Sequence, residues 1–217
     1  MRHYFKAAVA AVCIACTCGC NLVGFMAAPT PHEKQVPAEY NLRNTESKVM
    51  VYVGEARIGQ IPLDLRLRVD EMVRASLIRK VRIKEQYVLG PLEYATLRFA
   101  KSAVEIGREA GADLVVYVWI ESFDLHQLHS AGYFKGGIMT RSVLLDTASG
   151  QVVWPKGADA KPAKLDFEIQ TRGREAAIAR LAAGVGHCVT RYFYNCPGTE
   201  FRWGDEQRDF DKVYGND

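Results

Sequence analysis

The chain has 217 residues, with 28 Lys or Arg against 25 Asp or Glu and a formal net charge of +3. Two of the positives, Arg2 and Lys6, sit at the N-terminus, so the remainder lacks the concentrated basic surface that nucleic-acid binding requires. Apolar and charged fractions of 48% and 24% exclude bulk disorder, and about 170 residues beyond a leader suffice for one domain with a core.

After Lys6 the chain carries no formal charge until beyond Pro31, and four of its six cysteines fall within "CIACTCGC" (13–20). A basic start, a short apolar stretch (Ala7 to Cys16) and then small residues describe a secretory signal peptide. Gly19-Cys20 resembles the lipobox of bacterial lipoproteins, in which a small residue precedes the lipidated cysteine. Cys16 is a second acceptor candidate, and the position three before Cys20 holds Thr17 where that family usually has Leu. An uncleaved anchor helix and a plain signal peptide are the alternatives. A zinc site is disfavoured because no histidine or carboxylate stands nearby on a folded scaffold. The lipoprotein and anchor readings both export the domain, since positive charge holds the N-terminus in the cytoplasm. Asn21 is not the Asp that retains some lipoproteins at the inner membrane, which favours the periplasmic side of the outer membrane.

The resulting division is a signal peptide over 1–19, an anchor and flexible tether over 20–47, an α/β domain over 48–196 and a polar tail over 197–217. Three prolines among mixed charges in 29–47 predict a tether with little structure of its own. "KVMVYVG" (48–54) predicts a strand. Pro62 and Asp64 open a helix with Leu65, Val69, Met72, Val73, Ser76 and Leu77 on one face. "VRIKEQYVL" (81–89) alternates as a second strand. Pro91 and Glu93 start a second helix striped by Leu92, Thr96, Phe99, Ala103 and Ile106, with Gly111 as its left-handed stop.

"ADLVVYVWIESFDL" (112–125) is a continuous apolar run, the signature of a central strand covered on both faces. "DTASGQ" (146–151) predicts a hairpin turn with Gly150 at positive φ, and "KLDFEI" (164–169) a short further strand. The last helix spans about 173–194, with Ile178, Leu181, Val185, Val189 and Tyr192 in step. Gly184 and Gly186 each weaken it by about 1 kcal/mol relative to Ala, so packing must hold it. From Pro197 onward a loosely ordered tail is expected. The order predicts an α/β sandwich: a mixed sheet with antiparallel hairpins and three helices packed on it.

"EIGREAGADLVVYVWIESFDL", a hairpin and "VLLDTASGQVVWP" resemble the exported-lipoprotein superfamily of the curli-secretion channel subunit and the penicillin-binding-protein activator. The match rests on Gly111, Ala112, Asp113, Asp146, Gly150 and Trp154, and extends at pattern level over about 40–195. The secretion channel builds its barrel from long inserted hairpins. Here the insert "HQLHSAGYFKGG" (126–137) is short and polar, so it cannot supply two spanning strands of about 9–11 residues. The resemblance therefore implies a membrane-anchored, non-catalytic envelope protein that binds a protein or peptidoglycan. A subunit of a secretion assembly without membrane-spanning hairpins is the alternative, and the oligomeric state is left open.

Individual residues add little chemistry. No G-x-S-x-G, P-loop or H-E-x-x-H motif occurs, and Asp113, Glu121 and Asp124 form no evident acid–base pair, so no enzyme activity is expected. His126 and His129 beside Asp124 lack ligand spacing, so no metal or cofactor is expected. Cys188 and Cys196 are a candidate disulfide only if the helix ends near Tyr192 and the chain turns back. Arg66, Arg68, Arg74, Arg79, Lys80, Arg82 and Lys84 read as a solvated face, with Asp70 placed to pair Arg66 and Arg74, or as a surface for an anionic partner. In "SAGYFKGG" (130–137), Tyr133, Phe134 and Lys135 read either as a partner contact or as cover for a sheet edge.

Overall fold

A computed structural model describes residues 34–56, 60–91, 101–128, 132–157, 159–171 and 173–202, and its elements belong to the unit Gln35–Asp217. The leader, Cys20, the second-helix positions 92–100, His129 and the tail from 203 lie outside the described residues.

The strands are β1 (Gln35–Val36), β2 (Val49–Glu55), β3 (Val88–Leu89), β4 (Leu114–Gln127), β5 (Tyr133–Asp146), β6 (Val152–Trp154), β7 (Lys161–Gln170) and β8 (Cys196–Pro197). The helices are α1 (Leu63–Ser76), α2 (Ala103–Glu109) and α3 (Arg174–Thr190). The main sheet runs β3-β2-β4-β5-β6, and β7 also pairs with β5. Its β3-β2-β4 side is parallel and its β4-β5-β6 and β5-β7 pairs are antiparallel, so the mixed α/β sheet with antiparallel hairpins holds.

Alternation along β4 sorts the sheet faces. Leu114, Val116, Val118 and Ile120 point to the larger core, which α1 and α3 close with Leu65, Val69, Val73, Leu181 and Val185. Val115 joins Met50 and Ile106 in a smaller cluster on the opposite face, beneath α2. The helix stripes of α1 and α3 thus pack as their periodicity requires. Gly111 at φ 72° and Gly150 at φ 73° take the left-handed positions expected of them.

Four expectations change. Residues 81–89 are not one strand: Leu77–Val81 is a π-helical turn, Arg82 is left-handed at φ 65°, and only Val88–Leu89 pairs with β2. Val81 and Ile83 are buried while Arg82 and Lys84 face water, so the alternation records a loop crossing the core. Residues 91–109 are not one helix either, because Ser102 is extended and begins α2 afresh. Its hydroxyl accepts from the Glu105 N–H and the Glu105 carboxylate accepts from the Ser102 N–H, a reciprocal cap.

The supposed tether is structured from β1 onward. β1 pairs with β8, Leu42 is buried, and the Leu42 N–H donates to the Phe193 carbonyl at 3.0 Å. Glu39 accepts from Trp154 Nε1 at 2.9 Å and from Lys161 Nζ at 2.7 Å. At the other end, α3 stops at Thr190 and the chain packs on: Phe201 meets Tyr192 edge to face at 5.4 Å, so 198–202 is helical and docked rather than loose.

Candidate functional site

α2 is seven residues long and packs through Ile106 on Met50 and Val115 of its sheet face. Beyond it lies a groove of about 660 Å³. Tyr117 and Trp119 of β4 and Val143 and Leu145 of β5 line it, bordered by Ser102 and Val104 at the start of α2 and by Val152 and Asp159 on the β6 side. Alternation aims the two rings here: they sit two apart on β4, opposite in phase to the buried Val116, Val118 and Ile120.

The rings form part of a row. Tyr52 on β2 stacks on Tyr117 with centroids 5.5 Å apart and planes 29° apart, and Trp119 follows at 5.2 Å and 34°. Gly54 makes room for it, since a Cβ there would stand 2.9 Å from the Tyr117 hydroxyl. Burial, then the neighbouring Tyr52, pushes the Tyr117 phenol above its ordinary range, so it stays a neutral hydrogen-bonding group. Arg141, across from Trp119 on β5, donates through Nε to Glu121 at 2.7 Å, which places a paired charge beside the rings. Val152 is 50% exposed at the border. No local motif marks this site, because Tyr117 and Trp119 fall inside a continuous apolar run that has the signature of a doubly covered strand.

A second cavity, about 520 Å³, lies between Ala183 and Gly184 of α3, Lys80 of the π-helical turn, and Thr199. His187 is buried at its wall. Its Nε2 is 2.6 Å from the Glu200 carbonyl and its Nδ1 is 3.4 Å from Lys80 Nζ. Lys80 also donates to the Glu200 carboxylate at 2.7 Å. These residues are 107 and 13 positions apart in sequence, and no local motif joins them.

The residues singled out from sequence are dispersed. Tyr133, Phe134 and Lys135 are not in a loop but begin β5, paired with β7 through Gln170, Ile169 and Glu168. Phe134 is buried in the larger core, while Tyr133 and Lys135 are exposed. Cys188 and Cys196 are both buried and are not bonded to each other; the Cys196 thiol lies 3.3 Å from the Tyr194 hydroxyl. Burial pushes that thiol up, so it is a poor nucleophile.

Asp113 accepts from the Lys48 N–H at 2.7 Å, and His126 and Asp124 form an exposed pair at 3.7 Å. Among the described residues no group of three or more metal-ligating side chains is assembled. The arginine-rich stretch divides: Arg66 meets Glu55 at 3.5 Å, Arg68 meets Glu71 at 2.6 Å, and Asp70 pairs with Arg74 at 2.8 Å.

No protein-family model and no curated protein matches the chain. Among solved structures it is similar to the PelC dodecamer from Paraburkholderia phytofirmans, at 12% identity over 74% of this chain and 97% of that one, with a TM-score of 0.42. It is also similar to a lipoprotein from Neisseria meningitidis, at 11% identity over 64% and 94%, with a TM-score of 0.38. At these identities and scores the likeness assigns neither an activity nor an assembly to this chain.

Proposed function

We propose that the chain is a non-catalytic lipoprotein of the bacterial cell envelope, attached through Cys20, whose α/β domain binds a protein or cell-wall partner along the Tyr117–Trp119 groove. What carries the reading is the composition of that groove. Tyr, Trp and Arg are the side chains that dominate binding energy when they cluster in a sheltered patch, and Tyr117, Trp119 and Arg141 cluster here. The described lining is mostly apolar and aromatic, and its arginine is already matched by Glu121, which suits an uncharged or mixed-charge partner.

Two measurements test it. A photo-crosslinking residue in place of Val152, in cells, is expected to trap one discrete envelope partner, and Trp119→Ala is expected to reduce the adduct at least about tenfold, as loss of a hot-spot residue does. An adduct equally strong from position 68 on α1, or one indifferent to W119A, overturns the reading of the groove. Mass spectrometry of the mature N-terminus is expected to find a diacylglycerol-modified Cys20, and an intact Met1 overturns the anchor.

A further inference from the structure

Cations crowd the turn that ends α1. Leu77, Val81 and Ile83 are buried there, while Arg79, Lys80, Arg82 and Lys84 face water. Glu85 is the sole carboxylate between 77 and 90. The arginines earlier on α1 are matched by Glu55, Glu71 and Asp70, but Arg79 and Arg82 form no ion pair among the described residues. Helix electrostatics accounts for part of this, since the last turn of a helix favours positive charge, which suits Arg79 and Lys80. It does not account for Arg82, left-handed and past the helix, or for Lys84.

Tertiary structure extends the cluster. Lys80 borders the cavity of about 520 Å³ together with Arg180, which stands in the middle of α3, is exposed, and also lacks an ion pair among the described residues. Glu200 is the sole carboxylate of the described lining, and Lys80 already matches it at 2.7 Å. Ala183 and Gly184 leave an apolar recess between these cations. Cations around an apolar recess suit a lipid interface, where apolar burial and attraction to anionic headgroups add together.

The end of the chain that leads to Cys20 leaves the domain beside this rim. β1 begins at Gln35, opposite Pro197 of β8, and Pro197 is three residues from Glu200, at most about 11 Å of chain. The 15 residues from Cys20 to Gln35 reach at most about 50 Å. The β4–β5 hairpin end at Gln127 and Phe134 lies instead against Gly173 and Arg174, at the other end of α3, about 25 Å away along the helix.

We infer that Arg79, Lys80, Arg82, Lys84 and Arg180 form a rim that docks the domain on an anionic lipid surface, that of the membrane to which Cys20 anchors it. The inference rests on the proposed anchor to bring the domain near lipid, and adds which face turns towards it. The groove at Tyr117 and Trp119 lies on the sheet face opposite α1 and α3, so docking leaves it directed away from the membrane and open to a partner.

Acetylation footprinting of lysines in the full chain, bound to lipid nanodiscs and read by mass spectrometry, tests this. Discs of phosphatidylcholine are compared with discs in which about one third of the lipid is phosphatidylglycerol. Lys80 and Lys84 are expected to react at least about fivefold more slowly on the anionic discs, the factor that one basic contact with such a surface is worth. Lys135 and Lys164 alternate with the core residues Phe134 and Leu165 and so lie on the other sheet face; their rates should not change. Salt at about 0.5 M, which cuts screening to about 4 Å, is expected to abolish the difference. The double variant Arg82→Gln, Arg180→Gln is expected to bring Lys80 and Lys84 within about twofold of their rates on neutral discs. Equal rates on the two kinds of disc overturn the docking surface. So does equal slowing of Lys135 and Lys164, or slowing caused by cell-wall sacculi and not by anionic discs. A chain that does not stay on neutral discs overturns the Cys20 anchor alone, and the footprint on anionic discs, read against the free chain, then decides the surface by itself.

Discussion

Gly186 of α3 lies so close to Met72 of α1 that a Cβ at position 186 would stand 2.8 Å from the Met72 carbonyl oxygen. A glycine that weakens the helix by propensity is thus what lets the two helices meet backbone to backbone. Gly186→Ala is expected to destabilise the protein by about 1–3 kcal/mol, despite better helix propensity, because the rigid backbone cannot yield. A midpoint in urea equal to or above that of the wild type overturns the packing argument.

Two ion pairs on α1 should behave differently. Asp70 is 2% exposed and pairs with Arg74, whereas Arg68 and Glu71 are 44% and 51% exposed. Arg74→Met removes a charge partner of a buried carboxylate and is expected to cost about 2–4 kcal/mol. Arg68→Met is expected to change stability by about 0–1 kcal/mol. Equal losses in the two variants, read by denaturant unfolding, contradict the assignment.

The cap at Ser102 both starts α2 and borders the groove. Ser102→Ala is expected to cost about 1 kcal/mol, as N-cap removal does. It should also speed amide exchange across Ala103–Glu109, while amides of β4 keep their protection.

Stability should depend on pH through His187. Its folded form is held below the ordinary imidazole range by burial, so the unfolded chain binds the proton first. Its contribution is therefore complete above about pH 6.5 and declines as pH falls, levelling once the folded ring is protonated as well. Unfolding midpoints between pH 7.5 and 5.5 should fall in the wild type and stay flat over that window in His187→Gln.

How much of this was legible in advance follows from the range of each interaction. Period 3.6 in α1 and α3, the apolar run of β4 and the turn at Gly150 come from neighbouring residues, and the sequence alone determined them along with the mixed α/β class. The local pattern misled where burial, not pairing, produced it, as at Val81 and Ile83. The groove, the placement of Phe134 in the core, the docking of 35–42 on the end of α3 and the Lys80–His187–Glu200 cluster were decided only by tertiary structure. Each joins residues far apart in sequence: Trp154 and Glu39 are separated by 115 positions, and Lys80 and Glu200 by 120. Such contacts depend on strand order and helix approach, which the chain settles by burying its whole apolar surface at once, and no stretch of it encodes them alone.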